Sequence, residues 1–361
     1  MHKKRILFVG SFKTKSEKGG VGGQMYACTS LINSHLSDQY EWVTIDSTAE
    51  SNLHIAFYKR FYKALYRLIL FVYHLFFSRI DSVLIFSSNG FSFLEKGMMA
   101  IIASLFPSKK VIFAPRSGRI INELNGWRLS FTRLLFKRVD YVICQGETWK
   151  DIFNDRVIRD NKSKYIIIKN WLDTSNYTRK VNTSRKVSIL FLAWIEKDKG
   201  IFDLIDVVNN MVDKGVSNFT VTIAGKGKDE ELAHRMVKEL NLSNFIKFEG
   251  WVLGKDKIKL LSYSDIFVLP SYFEGSPNAL LEAMASGLAS IATNVGAIPD
   301  IIDGNNGFIF KLGEQITFQK QLELLIINKK IRMEISDKAI EYIFLNHAIS
   351  IAINKFEKIL N

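Results

Sequence analysis

Two series of short apolar runs, each interleaved with helical segments, constrain this chain more than any other feature. The first series opens at 5–10, Arg-Ile-Leu-Phe-Val-Gly, and continues through 41–46, 81–86, 110–114, 141–144 and 165–168. The second opens at 187–192, Val-Ser-Ile-Leu-Phe-Leu, and continues through 219–224, 246–248, 266–269, 290–293 and 307–310. Runs this short and this uniformly apolar are strands buried on both faces. Between them lie segments of helical period: 58–77 and 93–106 in the first series, and 202–212, 230–240, 258–262, 279–286 and 317–328 in the second. Strands alternating with helices predict a parallel sheet covered on both sides. Two series predict two Rossmann-like, doubly wound α/β domains in tandem, with a cleft between them. The first domain is expected at 1–175 and the second at 176–345, joined by the polar stretch 173–186. The tail 346–361, mostly one amphipathic helix, is expected to pack back on the first domain.

Composition narrows the function classes. A chain of 361 residues that is 47% hydrophobic buries real cores, which excludes a disordered protein. Cys28 and Cys144 are the two cysteines, too few for a disulfide framework or a Cys-based zinc site, so a reducing compartment is expected. The net charge is +13, and residues 1–175 hold 26 Lys and Arg against 14 Asp and Glu. That half attracts anions: phosphorylated substrates, anionic lipid or nucleic acid. No helix-turn-helix, zinc or RNA-binding motif supports nucleic acid. The apolar run after the basic N-terminus, Ile6–Val9, is too short for a secretory signal, and 64–77 is broken by Arg67 and His74. A cytoplasmic protein is expected.

Three segments carry chemistry. Gly19-Gly20-Val21-Gly22-Gly23 lets backbone approach a ligand ahead of a helix start, which suits a phosphate; it also reads as a plain flexible loop. In Phe273-Glu274-Gly-Ser-Pro-Asn-Ala-Leu-Leu-Glu282, Pro277 marks a helix start, with Glu274 in the loop before it and Glu282 in the second turn. The amides of Asn278, Ala279 and Leu280 would then point at an anion, and the two carboxylates suit vicinal diols. Glu196-Lys-Asp-Lys199-Gly200 places a lysine where it could neutralise a leaving diphosphate, or forms a solvated charged loop.

Taken together these segments resemble retaining glycosyltransferases of the GT-B fold, family 4. The strongest part runs from Val268-Leu-Pro-Ser-Tyr-Phe-Glu274-Gly-Ser-Pro-Asn-Ala-Leu-Leu-Glu282-Ala-Met-Ala-Ser-Gly287 to 291–300 and Asn306-Gly307. Asn170-Trp-Leu-Asp173 looks like the family's interdomain Asn-x-x-Asp, although Lys169 and Trp171 replace its usual Pro and Gly. The resemblance implies that Gly22 and Gly23 approach a donor diphosphate that Lys199 binds. It implies that Glu274 holds the donor sugar, Glu282 the ribose, and the loop around Val252 the nucleobase. It implies a nucleotide-diphosphate sugar as substrate and no separate cofactor.

Two departures bear on mechanism. Ala193-Trp194 stands where the family often has Gly-Arg, and Arg116, or a neighbour, where it often has His. Arginine cannot act as a base. The resemblance then suggests that the leaving phosphate oxygen takes the acceptor's proton on the same face, while Arg116 or Arg119 binds a phosphate. With no Asp-x-Asp motif, no metal is expected. Helix 58–77, with Lys59, Lys63 and Arg67 every four residues among aromatics, reads either as a membrane-interface helix or as a sheet-covering helix. The basic first half favours peripheral association with an anionic membrane. A saccharide acceptor on a lipid diphosphate, in cell-surface polysaccharide assembly, fits both. A sugar-nucleotide-binding protein without transfer activity is the alternative.

Overall fold

The computed structural model describes residues 3–12, 23–48, 57–159, 161–179 and 186–361. The chain divides into two compact units: Met1–Asn170 with Ser350–Asn361, and Trp171–Ile349. Each is built on one six-stranded, all-parallel sheet.

In the first unit the strands are β1 (Lys4–Gly10), β2 (Tyr40–Asp46), β3 (Ser82–Ser87), β4 (Lys110–Pro115), β5 (Tyr141–Cys144) and β6 (Tyr165–Ile167). Their order is β2-β1-β3-β4-β5-β6. Ile6–Val9 and Val83–Phe86 are wholly buried, as strands covered on both faces must be. The helix Ile349–Leu360 belongs to this unit from Ser350 on. Phe356 lies 6.3 Å from the Phe86 ring, and Tyr40 Oη meets Asn361 Oδ1 at 2.7 Å.

In the second unit the strands are β7 (Val187–Leu192), β8 (Phe219–Ala224), β9 (Ile246–Gly250), β10 (Ile266–Leu269), β11 (Ala289–Thr293) and β12 (Phe308–Phe310). The order β12-β11-β10-β7-β8-β9 makes the unit's first strand central and reverses direction between β7 and β10. Alternation at period two sorts the side chains to two cores. Ile189, Phe191 and Val268 pack with Leu204, Val208 and Leu322 on one face. Leu190, Phe267 and Leu269 pack with Leu281, Met284 and Ile343 on the other.

The helix Lys329–Asn346 lies outside the elements read from the sequence. Its stripe Ile331, Ile335, Ala339, Ile343 recurs every four residues and packs inward. Interspersed lysines, arginine and glutamates dilute that period, so tertiary burial rather than pattern strength marks the helix.

Candidate functional site

In open parallel sheets, ligands sit at the carboxyl ends of the strands where the strand order reverses. In the second unit that point lies between β7 and β10. The loop leaving β7 passes close over the end of β10, and Gly200 makes this possible. It has φ +72°, and a Cβ there would fall 2.0 Å from the Pro270 carbonyl oxygen. The Tyr272 amide then donates to the Asp198 carbonyl at 2.9 Å, and the Ala297 amide holds the Gly275 carbonyl at 2.7 Å. Clamped this way, the two loops bring Lys199 Nζ to 2.6 Å from Glu274 Oε1. Their side chains are 23% and 11% exposed, so the pair is reachable yet largely withdrawn from water.

Eight residues on, Glu282 stands in the second turn of the helix Asn278–Ala285, which starts after Pro277. Glu282 Oε1 accepts from Lys257 Nζ at 2.7 Å, with side chains 12% and 27% exposed. Lys257 comes from the helix Gly254–Tyr263, which follows Val252. The sequence reading did not single out Lys257, because nothing in it ties that residue to a glutamate 25 positions away. The Leu280 amide donates to the Pro277 carbonyl at 3.2 Å, so it is engaged within the first turn. Of the three amides expected to face an anion, that of Leu280 is thus taken up within the helix.

The chemistry of this edge is two lysine–carboxylate pairs whose four charges cancel. Each ammonium has three donors and spends one on its glutamate, and each glutamate has a second oxygen for a hydroxyl. A polyol on the carboxylates and an anion on the ammoniums would be held together without rebuilding the site.

Arg116 belongs to the first unit, just past β4. Its amide donates to the Ser87 carbonyl at 2.8 Å, and Nη2 donates to Asn170 Oδ1 at 2.6 Å. Gln145 Nε2 donates to the same oxygen at 3.0 Å, and the Arg116 guanidinium lies 5.1 Å from the Phe86 ring centre. Burial pushes its pKa down to about 10, so it remains a cation at neutral pH. Nearby, Lys96 is 4% exposed and donates to Ser92 Oγ at 2.9 Å; burial pushes it down to about 8. Gly23 opens the helix Gly23–Ile32, whereas Gly22 and the rest of the glycine loop lie outside the described residues.

The helix Phe57–Phe77 turns Ala64, Phe71 and Leu75 inward. Its outer face carries Tyr58, Tyr62, Tyr66, Ile69, Tyr73 and Phe77, between 54% and 77% exposed. Lys59 and Lys63 are exposed, but the expected basic stripe loses Arg67. That residue turns aside to make a two-pronged contact with Glu95, at 2.7 and 2.9 Å. The fork geometry of guanidinium and carboxylate favours this pairing over solvent. Among the described residues no helix is long and apolar enough to cross a membrane.

Comparison with known proteins bears on this geometry. Residues 173–342 match the glycosyl transferases group 1 family. The chain is 26% identical over 228 residues to an uncharacterized 41.2 kDa protein of the Klebsiella pneumoniae cps region, covering 58% of this chain and 61% of that one. It is 28% identical over 164 residues to the N,N'-diacetylbacillosaminyl-diphospho-undecaprenol alpha-1,3-N-acetylgalactosaminyltransferase of Campylobacter jejuni, covering 45% and 42%. The matches thus span less than two thirds of either relative's length. The fold is that of Anabaena HepE, solved with UDP and glucose, at TM-score 0.75 and 16% identity over 99% of both chains. The two six-stranded units are the Rossmann-like domains of the GT-B fold, and residues 173–342, within the second of them, match the glycosyl transferases group 1 family.

Proposed function

We propose that this protein transfers a sugar from a nucleotide-sugar donor to a saccharide acceptor, with retention of configuration and without a metal. The observation that carries this reading is the double lysine–carboxylate arrangement at the β7/β10 reversal, inside the segment that matches the family. Glu274 accepts hydroxyls of the donor sugar, and Lys199 neutralises the diphosphate as it leaves. Glu282 takes the ribose hydroxyls, and Asn278 and Ala279 face the phosphates with their amides. Val252 lies beside the base. In the transfer the acceptor oxygen bonds to the anomeric carbon as the bond from that carbon to the diphosphate oxygen breaks. The hydroxyl proton passes to a leaving phosphate oxygen on the same face. Arg116 stays protonated and acts as a positive anchor for phosphate rather than a base.

The acceptor is proposed to be a saccharide on a lipid diphosphate, and the enzyme to bind peripherally at the cytoplasmic face of an anionic membrane, in cell-surface polysaccharide assembly. The outer face of the helix Phe57–Phe77 supports this: tyrosines and phenylalanines suit the headgroup boundary, and Lys59 and Lys63 suit anionic lipid. The name of the Campylobacter relative, which specifies a diphospho-undecaprenol acceptor, points the same way.

The test is a thermal-shift screen with UDP-, GDP- and dTDP-sugars, followed by nucleotide release with lipid-linked acceptors in excess EDTA. A ligand of the folded state raises apparent stability by mass action. One selective donor and turnover in EDTA are expected. Strict Mg²⁺ or Mn²⁺ dependence would overturn the metal-free mechanism. Donor binding without nucleotide release across the acceptor panel would support a binding protein instead.

A further inference from the structure

The corner of the first unit at the amino ends of β5 and β6 has no part in the roles above. Two helices meet there: Gly126–Arg138, which leads into β5, and Glu147–Arg156, which leads toward β6. Phe136 and Phe153 lock them together, with ring centroids 5.1 Å apart. Lys164, immediately before β6, donates to the Lys137 carbonyl at 3.1 Å and closes the corner. Within it lies an open cup of about 560 Å³. Arg133, Lys137, Arg156 and Arg159 line it, and Asp155 is the single carboxylate among the described residues that do so. Leu129 and Val157 supply apolar wall.

The arginines are aimed by main-chain dipoles. Arg133 Nη2 donates to the Arg156 carbonyl at 3.1 Å, Arg156 Nη2 to the Leu124 carbonyl at 2.8 Å, and Arg159 Nε to the Asp155 carbonyl at 3.3 Å. A carbonyl fixes a guanidinium without neutralising it. Among the described residues none of the four cations forms an ion pair. Each arginine has five N–H donors and spends one here. Cations are favourable at a helix carboxyl end, which accounts for one hydrogen bond apiece. It does not account for four positive side chains converging on one concavity, a net +3 with Asp155. Their mutual repulsion is a standing cost that a bound anion removes.

We infer that this cup is an anion site for a phosphate group, separate from the edge that carries Arg116. Planar guanidiniums meet phosphate oxygens in pairs, and the Lys137 ammonium adds a point charge. Arg116 follows the carboxyl end of β4, whereas the cup lies at the amino ends of β5 and β6, so a phosphate held here leaves the other edge open. The inference does not depend on sugar transfer. The phosphate is either dissolved or displayed on a lipid headgroup, and two arms of one experiment tell these apart.

The first arm titrates the full-length protein with inorganic phosphate against chloride at constant ionic strength, reading thermal stability and calorimetric Kd. The second measures flotation with phosphatidylcholine vesicles, with and without phosphatidylglycerol. Lys137→Gln with Arg159→Gln removes two exposed cations, and is expected to weaken binding about tenfold or more in at least one arm. Arg133→Lys keeps the charge and loses the fork, and is expected to weaken it about threefold. Loss in the first arm alone assigns dissolved phosphate; loss in the second alone assigns the headgroup. Lys320→Gln with Lys338→Gln removes two exposed cations from the second unit and is expected to change neither arm. An equal loss in that pair would reduce the effect to net charge and overturn the cup. Wild-type behaviour of a folded Lys137→Gln, Arg159→Gln protein in both arms would overturn it, as would no response of the wild-type protein in either. A phosphate response that survives in this variant and vanishes in Arg116→Gln would place the anion at the other edge and overturn the cup as well.

Discussion

The carboxyl edges of the two sheets solve the burial of charge in opposite ways. In the second unit two lysines each have a carboxylate partner, Lys199 with Glu274 and Lys257 with Glu282. In the first unit Arg116 leans on the amide oxygen of Asn170 and the ring of Phe86, and Lys96 on the hydroxyl of Ser92. A lysine–glutamate pair is already neutral, so it tolerates burial and can lend one charge to each part of a polar ligand. For these two groups burial dominates the titration, pushing Arg116 down to about 10 and Lys96 down to about 8.

The comparison can be broken first at Lys199. Lys199→Ala is expected to lower kcat by about 10²–10³-fold, as loss of a charge stabiliser does, measured as nucleotide release. Activity within tenfold of wild type would remove Lys199 from the chemistry. Next, Glu282→Ala is expected to weaken the donor nucleotide by roughly 30-fold, about 2 kcal/mol for lost hydrogen bonds. A double-mutant cycle with Lys257→Met shows whether the two act as one unit.

On the other side of the contrast, Arg116→Lys keeps charge but loses the fork. It is expected to leave donor Kd unchanged and to lower turnover about tenfold with a phosphorylated acceptor. A changed donor Kd would show that the two edges are not chemically separate. Tyr62→Ser with Tyr66→Ser is expected to reduce flotation with anionic liposomes by about tenfold, through lost interfacial burial. Unchanged flotation would detach the aromatic helix from membrane binding.

The smallest effect concerns the buried Lys96. The pKa of Lys96 is depressed in the folded state, to about 8, below its unfolded value. Folding therefore releases a proton from this residue between those two pKa values, and wild-type stability should rise with pH through that window. Below about pH 8 the buried charge is a full penalty. Lys96→Met is thus expected to be the more stable protein at pH 7, by about 1–3 kcal/mol in denaturant melts, with the gap narrowing toward pH 10. A gap independent of pH would mean that packing, not charge, sets the difference.

Much of the second unit was legible before any coordinates. The strands announced themselves by uninterrupted apolar runs, and Pro277 between Glu274 and Glu282 placed one glutamate in a loop and the other on a helix, as observed. Lys257, by contrast, carries no local mark; only the fold brings it, from the helix before β10, within reach of Glu282 in the helix after it. Arg67 read as part of a basic stripe from its four-residue spacing, and only the neighbouring helix, with Glu95, turned it away. The same helix displayed its aromatic residues outward, which spacing alone left open between a covered face and a wet one.

The sequence by itself determined the α/β class, the doubling of the domains and the segment that holds Lys199, Glu274 and Glu282. All of these depend on local period and on neighbours within a few residues of each other. Tertiary structure decided the strand order, and with it the reversal between β7 and β10 that brings Lys199 onto Glu274. It also decided the partner of every buried charge and the pairing of Trp194 with Trp251. The physical reason is that a strand's apolar run specifies burial on both faces but not which strands lie on either side of it. The cations and carboxylates meet only after that choice is made.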